Sequence, residues 1–402
     1  MKVIRLFVLA WLVPVVLQGQ PQEVQVFQRE ASNPAQRFSM ASQYPAEERS
    51  FVVHTPRGYD KRTYRQYPVL YLLDGAPNLK HTVMTSNLLA ERREMPEIIV
   101  VAIPNASRDI RSRDYSPPSK DERGASSGGA ESFLDFLEKE LIPRIEKEYR
   151  TEPFRMIAGH SMGGLLAVHS LVTRPDLFQA YFAFSPALKN SEDGVIERAK
   201  KVWMERSTGT EQAGRKSFLY LNLGGKEAEN ITAAYHRMVE VLETHAPPEL
   251  KWHAGPILAD DSHSTTPLAR QYLGFRTLFT HWAIPRQDFA TRGLEAVEEH
   301  FRMLTAELGY EIVPEERLLN SNGYLFLKQE RPEEALELLR HSAALYPQSA
   351  NAADSLADVL SVLERTEEAR IQAARAVSLA QEQGHPGLES FSERLTALTG
   401  QD

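Results

Sequence analysis

Arg155-Met156-Ile157-Ala158-Gly159-His160-Ser161-Met162-Gly163-Gly164-Leu165-Leu166 passes from a short apolar run, through a glycine-bounded serine, into a second apolar stretch. The run Arg155–Ala158 reads as a strand and Met162–Thr173 as a helix. A Gly-x-Ser-x-Gly turn between strand and helix is the context of a nucleophile elbow, which holds a serine hydroxyl out above the end of a sheet. Glycine is expected at 159 and 163 because a side chain there would meet the neighbouring strand or helix. Ser161 would also stand at a helix N-terminus, where amides without intrahelical partners favour negative charge. The alternative is a glycine-rich turn with an idle serine.

Outward from this turn, further apolar runs read as strands: Ser50–Thr55, Val69–Leu73, Ile98–Ile103, Tyr181–Phe184 and Phe218–Leu223. Several are apolar at consecutive positions, as in strands buried on both faces. Gly129–Tyr149, Asn230–His245 and Thr265–His281 read as helices between or after them. Alternation of this kind predicts an α/β fold with a mostly parallel central sheet and helices on both faces. Arg108–Gly129 is polar and rich in Ser, Pro and Gly, and reads as a long loop.

Beyond Pro285 the strand signal stops. Ala335 and Ala369 are 369 − 335 = 34 residues apart, and the pairs Gly323/Ala357 and Phe326/Leu360 repeat that spacing. Pro347 closes the first unit. This is the period of tetratricopeptide-like helix–turn–helix repeats. Glu295–Leu308 reads as a further helix packed against them. Two repeats are fewer than the about three that usually make a stable stack, so the region is expected to lean on the main domain or on a second copy of the chain.

Composition narrows the function. The chain has 402 residues, with 46 Lys and Arg against 54 Asp and Glu, a net charge of −8. An acidic chain lacks the basic face that phosphate neutralisation needs, so nucleic acid is not an expected partner. With 42% hydrophobic and 25% charged residues it reads as globular. It has no cysteine, which excludes disulfides, thiolate catalysis and Cys-ligated metals. No His-Glu-x-x-His occurs and the histidines are scattered, so no metal site is expected. Lys2 and Arg5 precede the apolar run Leu6–Leu17, twelve residues long and broken by Gln18-Gly19-Gln20-Pro21. That run is too short to span about 30 Å of hydrocarbon as a helix and reads as a secretory signal. The expected organisation is a signal peptide at 1–20, an α/β domain carrying the serine turn at 21–285 and a helical repeat region at 286–402. The expected location is the periplasm or the exterior, with no integral membrane segment after cleavage.

A serine hydroxyl needs a base, and in an elbow fold the partners follow in the order Ser, acid, His. His263, in Asp260-Asp261-Ser262-His263-Ser264, follows the last strand and precedes a helix. His253 is the rival within a strand-like run, and His245 and His281 lie at helix ends. The acid is expected on the turn after Phe218–Leu223. Glu227 fits there, and Glu229 competes, although a carboxylate at a helix start is already favoured by the dipole. Its role would be to orient the imidazole and stabilise its protonated form. The oxyanion donors would be the backbone amide of Met162 and that of Gly75 or Ala76 after Val69–Leu73. Asp74 reads as orienting that turn through side-chain to backbone hydrogen bonds.

Tyr67–Gly75 (YPVLYLLDG), Arg111–Pro117 (RSRDYSP), GHSMGG around Ser161, Ser185-Pro186, Gly224–Glu227 (GGKE) and the Asp261-Ser262-His263 step occur in order. Together they resemble the putative-esterase family of α/β-hydrolases, the group of esterase D and the enterochelin esterases. The resemblance covers roughly Ser50–His281. It implies an α/β-hydrolase fold and a cofactor-free serine ester hydrolase, with Ser161 as nucleophile and His263 as base. Glu227 stands where esterase D-like members generally carry aspartate. The repeats look like an extension found in some secreted bacterial members.

The leading expectation is a secreted or periplasmic serine hydrolase cleaving siderophore or other small acyl esters through an acyl-enzyme. Arg111 and Arg113 could bind an anionic part of the substrate, or simply form a salt-bridged loop. A repeat-based scaffold with a vestigial hydrolase domain, binding a protein partner or a second copy, is a second class. An acyltransferase using the same triad is a third.

Overall fold

The computed structural model describes residues 35–118, 127–188, 194–208 and 216–400. The expected signal at Met1–Gln20 lies outside the described residues. In chain order the elements begin with β1 (Ala35–Gln43), β2 (Ala46–His54), β3 (Tyr67–Leu73), α1 (Gly75–Glu91), β4 (Ile99–Ile103) and α2 (Arg108–Tyr115). There follow α3 (Ala130–Phe136) and α4 (Ile142–Glu148), joined by a π-type turn at Leu137–Leu141, then β5 (Thr151–His160), α5 (Met162–Thr173), β6 (Ala180–Phe184) and α6 (Val195–Thr208). The α/β part continues through β7 (Ser217–Asn222), β8 (Gly224–Lys226), α7 (Glu229–His245), β9 (Leu250–Ala254), β10 (Leu258–Ser262) and α8 (Thr266–Leu278).

Eight strands form one sheet in the order β1-β2-β4-β3-β5-β6-β7-β9. The pairs β1/β2 and β2/β4 are antiparallel, and every pair from β4 to β9 is parallel. The central strands β3, β4 and β6 are buried at every position, which accounts for their unbroken apolar runs. Because side chains alternate across a strand, the sheet feeds two cores. Val69, Tyr71, Leu73, Val101 and Ile157 join a core with α3–α7. Leu70, Leu72, Val100, Met156 and Phe182 join the opposite core with α1, α8 and the C-terminal helices.

Several expectations change in detail. Within the expected loop Arg108–Gly129 the structure has α2, while residues 119–126 lie outside the described residues. The helix starts because the Ser107 hydroxyl accepts a hydrogen bond from the Ile110 amide at 3.2 Å, and it holds because Asp114 and Tyr115 are buried. Its polar composition hid it. The β1 hairpin strand and helices α1 and α6 also escaped the sequence reading. In α1 the buried positions include Gly75, Thr82 and Ser86, so its inward face carries little hydrophobic signal.

Among the described residues the elements of the C-terminal chain are all helices: α9 (Arg286–Arg292), α10 (Leu294–Leu308), α11 (Glu316–Lys328), α12 (Pro332–Leu345), α13 (Ala350–Val362), α14 (Thr366–Gln383) and α15 (Leu388–Thr399). The helix starts repeat at the period read from the sequence, 350 − 316 = 34 and 366 − 332 = 34. A Cβ at Gly323 would come within 2.7 Å of the Leu339 side chain, so α11 and α12 need a minimal residue there. These helices share the core on the α1/α8 side of the sheet: Phe154 at the start of β5 meets the Tyr310 ring at 5.3 Å, and Tyr64 meets Tyr346 at 5.6 Å.

Candidate active site

The C-terminal ends of the parallel strands carry the predicted residues. Ser161 follows β5 with φ 57° and ψ −114°, a left-handed conformation that costs a non-glycine residue about 1–3 kcal/mol. Its backbone bonds hold it there. The Ser161 amide donates to the Phe184 carbonyl at 3.0 Å, and its carbonyl accepts from Leu165 at 3.0 Å and Ala187 at 2.9 Å. Of the two glycines expected for lack of space, Gly159 is strictly confined, whereas a Cβ at Gly163 would meet nothing nearer than Asp74 Oδ2 at 3.3 Å. A Cβ at Gly159 would stand 2.3 Å from the Gly163 backbone, and one at Gly164 would stand 3.0 Å from Pro186.

His263 lies between β10 and α8. Its Nδ1 is 2.7 Å from Glu227 Oε2. A carboxylate only accepts, so Nδ1 carries the hydrogen and Nε2 presents a lone pair. Glu227 is 1% exposed in its side chain, and His263 is 36% exposed. Glu227 follows β8, which pairs with β10, so the acid turn and the histidine loop are joined by their own small sheet. Glu229 is exposed in the first turn of α7. Among the other histidines, His253 is an exposed residue of β9 stacked on Tyr220, and His281 bonds Glu307 at 3.0 Å. Asp261, two residues before His263, forms an ion pair at 2.7 Å with the buried Arg270 of α8.

The amide of Met162 is the first of α5, and those of Gly75 and Ala76 open α1, where helical amides lack intrahelical acceptors. The two helix starts are adjacent: a Cβ at Gly163 would lie 3.3 Å from Asp74 Oδ2. Asp74 differs from its expected role. Its carboxylate accepts from the side chains of Arg111, at 2.6 and 2.8 Å, and Asn105, at 2.6 Å, not from backbone amides. Arg111 also donates to the His160 carbonyl at 3.1 Å. Asp74 thereby holds the Arg111 pKa above its ordinary value. Arg113 is bidentate on Glu47, at 3.0 and 2.7 Å, and donates to Asp114 at 2.8 Å. Both guanidinium groups are therefore closed into ion pairs within the protein, the arrangement set beside substrate binding for this loop.

Residues 42–239 match the sequence profile of the family described as Putative esterase. That stretch, just under half of the chain, resembles this esterase family. It is 33% identical over 153 residues to the ferri-bacillibactin esterase BesA of Bacillus subtilis, covering 33% of this chain and 52% of that protein. It is 32% identical over 155 residues to a siderophore triacetylfusarinine C esterase of Aspergillus fumigatus, covering 35% and 51%. The chain thus spans about half the length of these curated relatives. Among solved structures, an IroE-like serine hydrolase of Shewanella oneidensis is 25% identical with a TM-score of 0.67, covering 77% of this chain and 99% of that one.

One side chain at the site had no role in the sequence reading. His160, inside the GHSMGG turn, points its Nε2 to the His263 carbonyl at 2.7 Å. Its ring centroid lies 4.6 Å from that of His263. Burial, followed by the neighbouring His263, lowers its pKa to about 4. Adjacency to Ser161 was the only signal available beforehand.

Proposed function

We propose that the chain is a serine carboxylic-ester hydrolase. Ser161 Oγ attacks the ester carbonyl while His263 Nε2 takes its proton. The same imidazole returns that proton to the departing alcohol, and water then hydrolyses the acyl-enzyme by the reverse sequence. Glu227 orients the imidazole and stabilises its cation. The Met162 amide, with that of Gly75 or Ala76, receives the oxyanion. The observation that carries this reading is the 2.7 Å contact of His263 Nδ1 with the buried Glu227 carboxylate, on a loop whose His263 carbonyl meets His160, the residue before a serine held at φ 57°.

The two curated relatives are named for siderophore esters, so these and other small acyl esters are the substrate class to test. The Leu6–Leu17 signal supports a periplasmic or secreted location. A fluorophosphonate probe and p-nitrophenyl butyrate test the chemistry. The wild-type chain should label and turn over. Ser161→Ala should lose labelling and about 10³-fold or more of turnover, and labelling that survived would remove Ser161 as nucleophile.

A further inference from the structure

We infer that His160 is a positioning residue for His263, holding the base to the strand that carries the nucleophile. The inference rests on the serine-esterase reading of Ser161 and His263. A general base must reach the proton it removes with hydrogen-bond geometry, and here nucleophile and base lie about a hundred residues apart on separate loops. The imidazole of His263 is oriented by Glu227 from one side. Its backbone is held separately: the His263 carbonyl accepts from His160 Nε2 at 2.7 Å and from the Thr266 hydroxyl at 2.9 Å. Thr266 belongs to the helix that His263 itself leads into, so that bond is local. The bond from His160 spans 103 residues and starts on the residue covalently joined to Ser161. It ties the reach from serine to histidine to the geometry of one peptide unit.

The donor is suited to this place. A carbonyl oxygen only accepts, so His160 must carry its hydrogen on Nε2. Burial and the nearby His263 keep the ring neutral at ordinary pH, with a pKa of about 4. A neutral donor fixes the loop without setting a permanent positive charge against an imidazole that must accept a proton. The Asp261–Arg270 ion pair steadies the same loop two residues earlier, but it runs to α8 and carries no information about Ser161.

The experiment compares full-length wild type, His160→Phe and His160→Gln with p-nitrophenyl butyrate and fluorophosphonate. Phe keeps an aromatic ring without the donor, and Gln places an amide N–H at about the reach of Nε2. Misplacing a reacting group by about 1 Å can cost 10²-fold. His160→Phe should therefore lose about tenfold to a hundredfold in kcat and in labelling rate, with KM nearly unchanged, and His160→Gln should recover most of the loss. Equal activity in all three, or equal loss in both variants, overturns the positioning role. Should His160→Phe fail to fold, the nitrogen-15 spectrum of the wild-type histidines decides. Neutral His160 with hydrogen on Nε2 is expected, and hydrogen on Nδ1 overturns the inference. Absence of turnover and labelling in the wild type is a different result, and it counts against the esterase reading itself.

Discussion

The residue scale is where Glu227 and Glu229 separate. Both were compatible with the turn after Phe218–Leu223, since they are two positions apart and both acidic. Folding buries Glu227 against His263 and leaves Glu229 exposed at the start of α7. Glu227→Gln should keep the shape of the contact but let the amide donate, favouring the wrong imidazole tautomer. We expect kcat to fall about 10²–10⁴-fold, with Glu229→Gln near wild type, measured by p-nitrophenyl butyrate turnover. The places of Ser161 and His263 were legible because strand and helix ends mark them: Ser161 lies between β5 and α5, and His263 between β10 and α8. Asp74 and Arg111 were not, because the partner of an ionic side chain depends on which loops meet above the sheet.

At the scale of elements, the elbow shows how a motif becomes a constraint. The 2.3 Å approach that a Gly159 Cβ would make is to backbone atoms of Gly163, which cannot rotate away as a side chain can. Gly159→Ala should therefore force β5 and α5 apart. The expected loss is about 3 kcal/mol of stability, read from the midpoint of urea unfolding, with turnover falling alongside it. The parallel core strands were legible as runs apolar on consecutive positions. Helices α1 and α2 were not, since small or polar residues occupy their buried faces and periodicity needs apolar contrast to be seen.

The whole molecule behaves as one packed body in its C-terminal half. Phe154, Phe275 and Phe279 of the α/β part share a core with Phe289, Tyr310, Phe326 and Leu339 of the helices. Buried aromatics contribute about 1.5–3 kcal/mol each relative to exposure, so uncovering this face would cost several side chains at once. The full chain should unfold in a single transition, with circular dichroism and tryptophan fluorescence coincident. A chain ended at Pro285 should be insoluble or unfolded. Two separated transitions would show instead that the repeats fold on their own.

Local grammar was sufficient for the strand–turn–helix around Ser161 and for the 34-residue helical period, because each follows from steric and periodic rules acting over a few dozen residues. Tertiary structure alone decided which carboxylate meets His263, that Asp74 takes up Arg111 and Asn105, that His160 bonds the His263 carbonyl, and that the C-terminal helices cover one face of the sheet. Each of these depends on through-space distances between loops far apart in the chain, and a linear pattern carries no record of those distances.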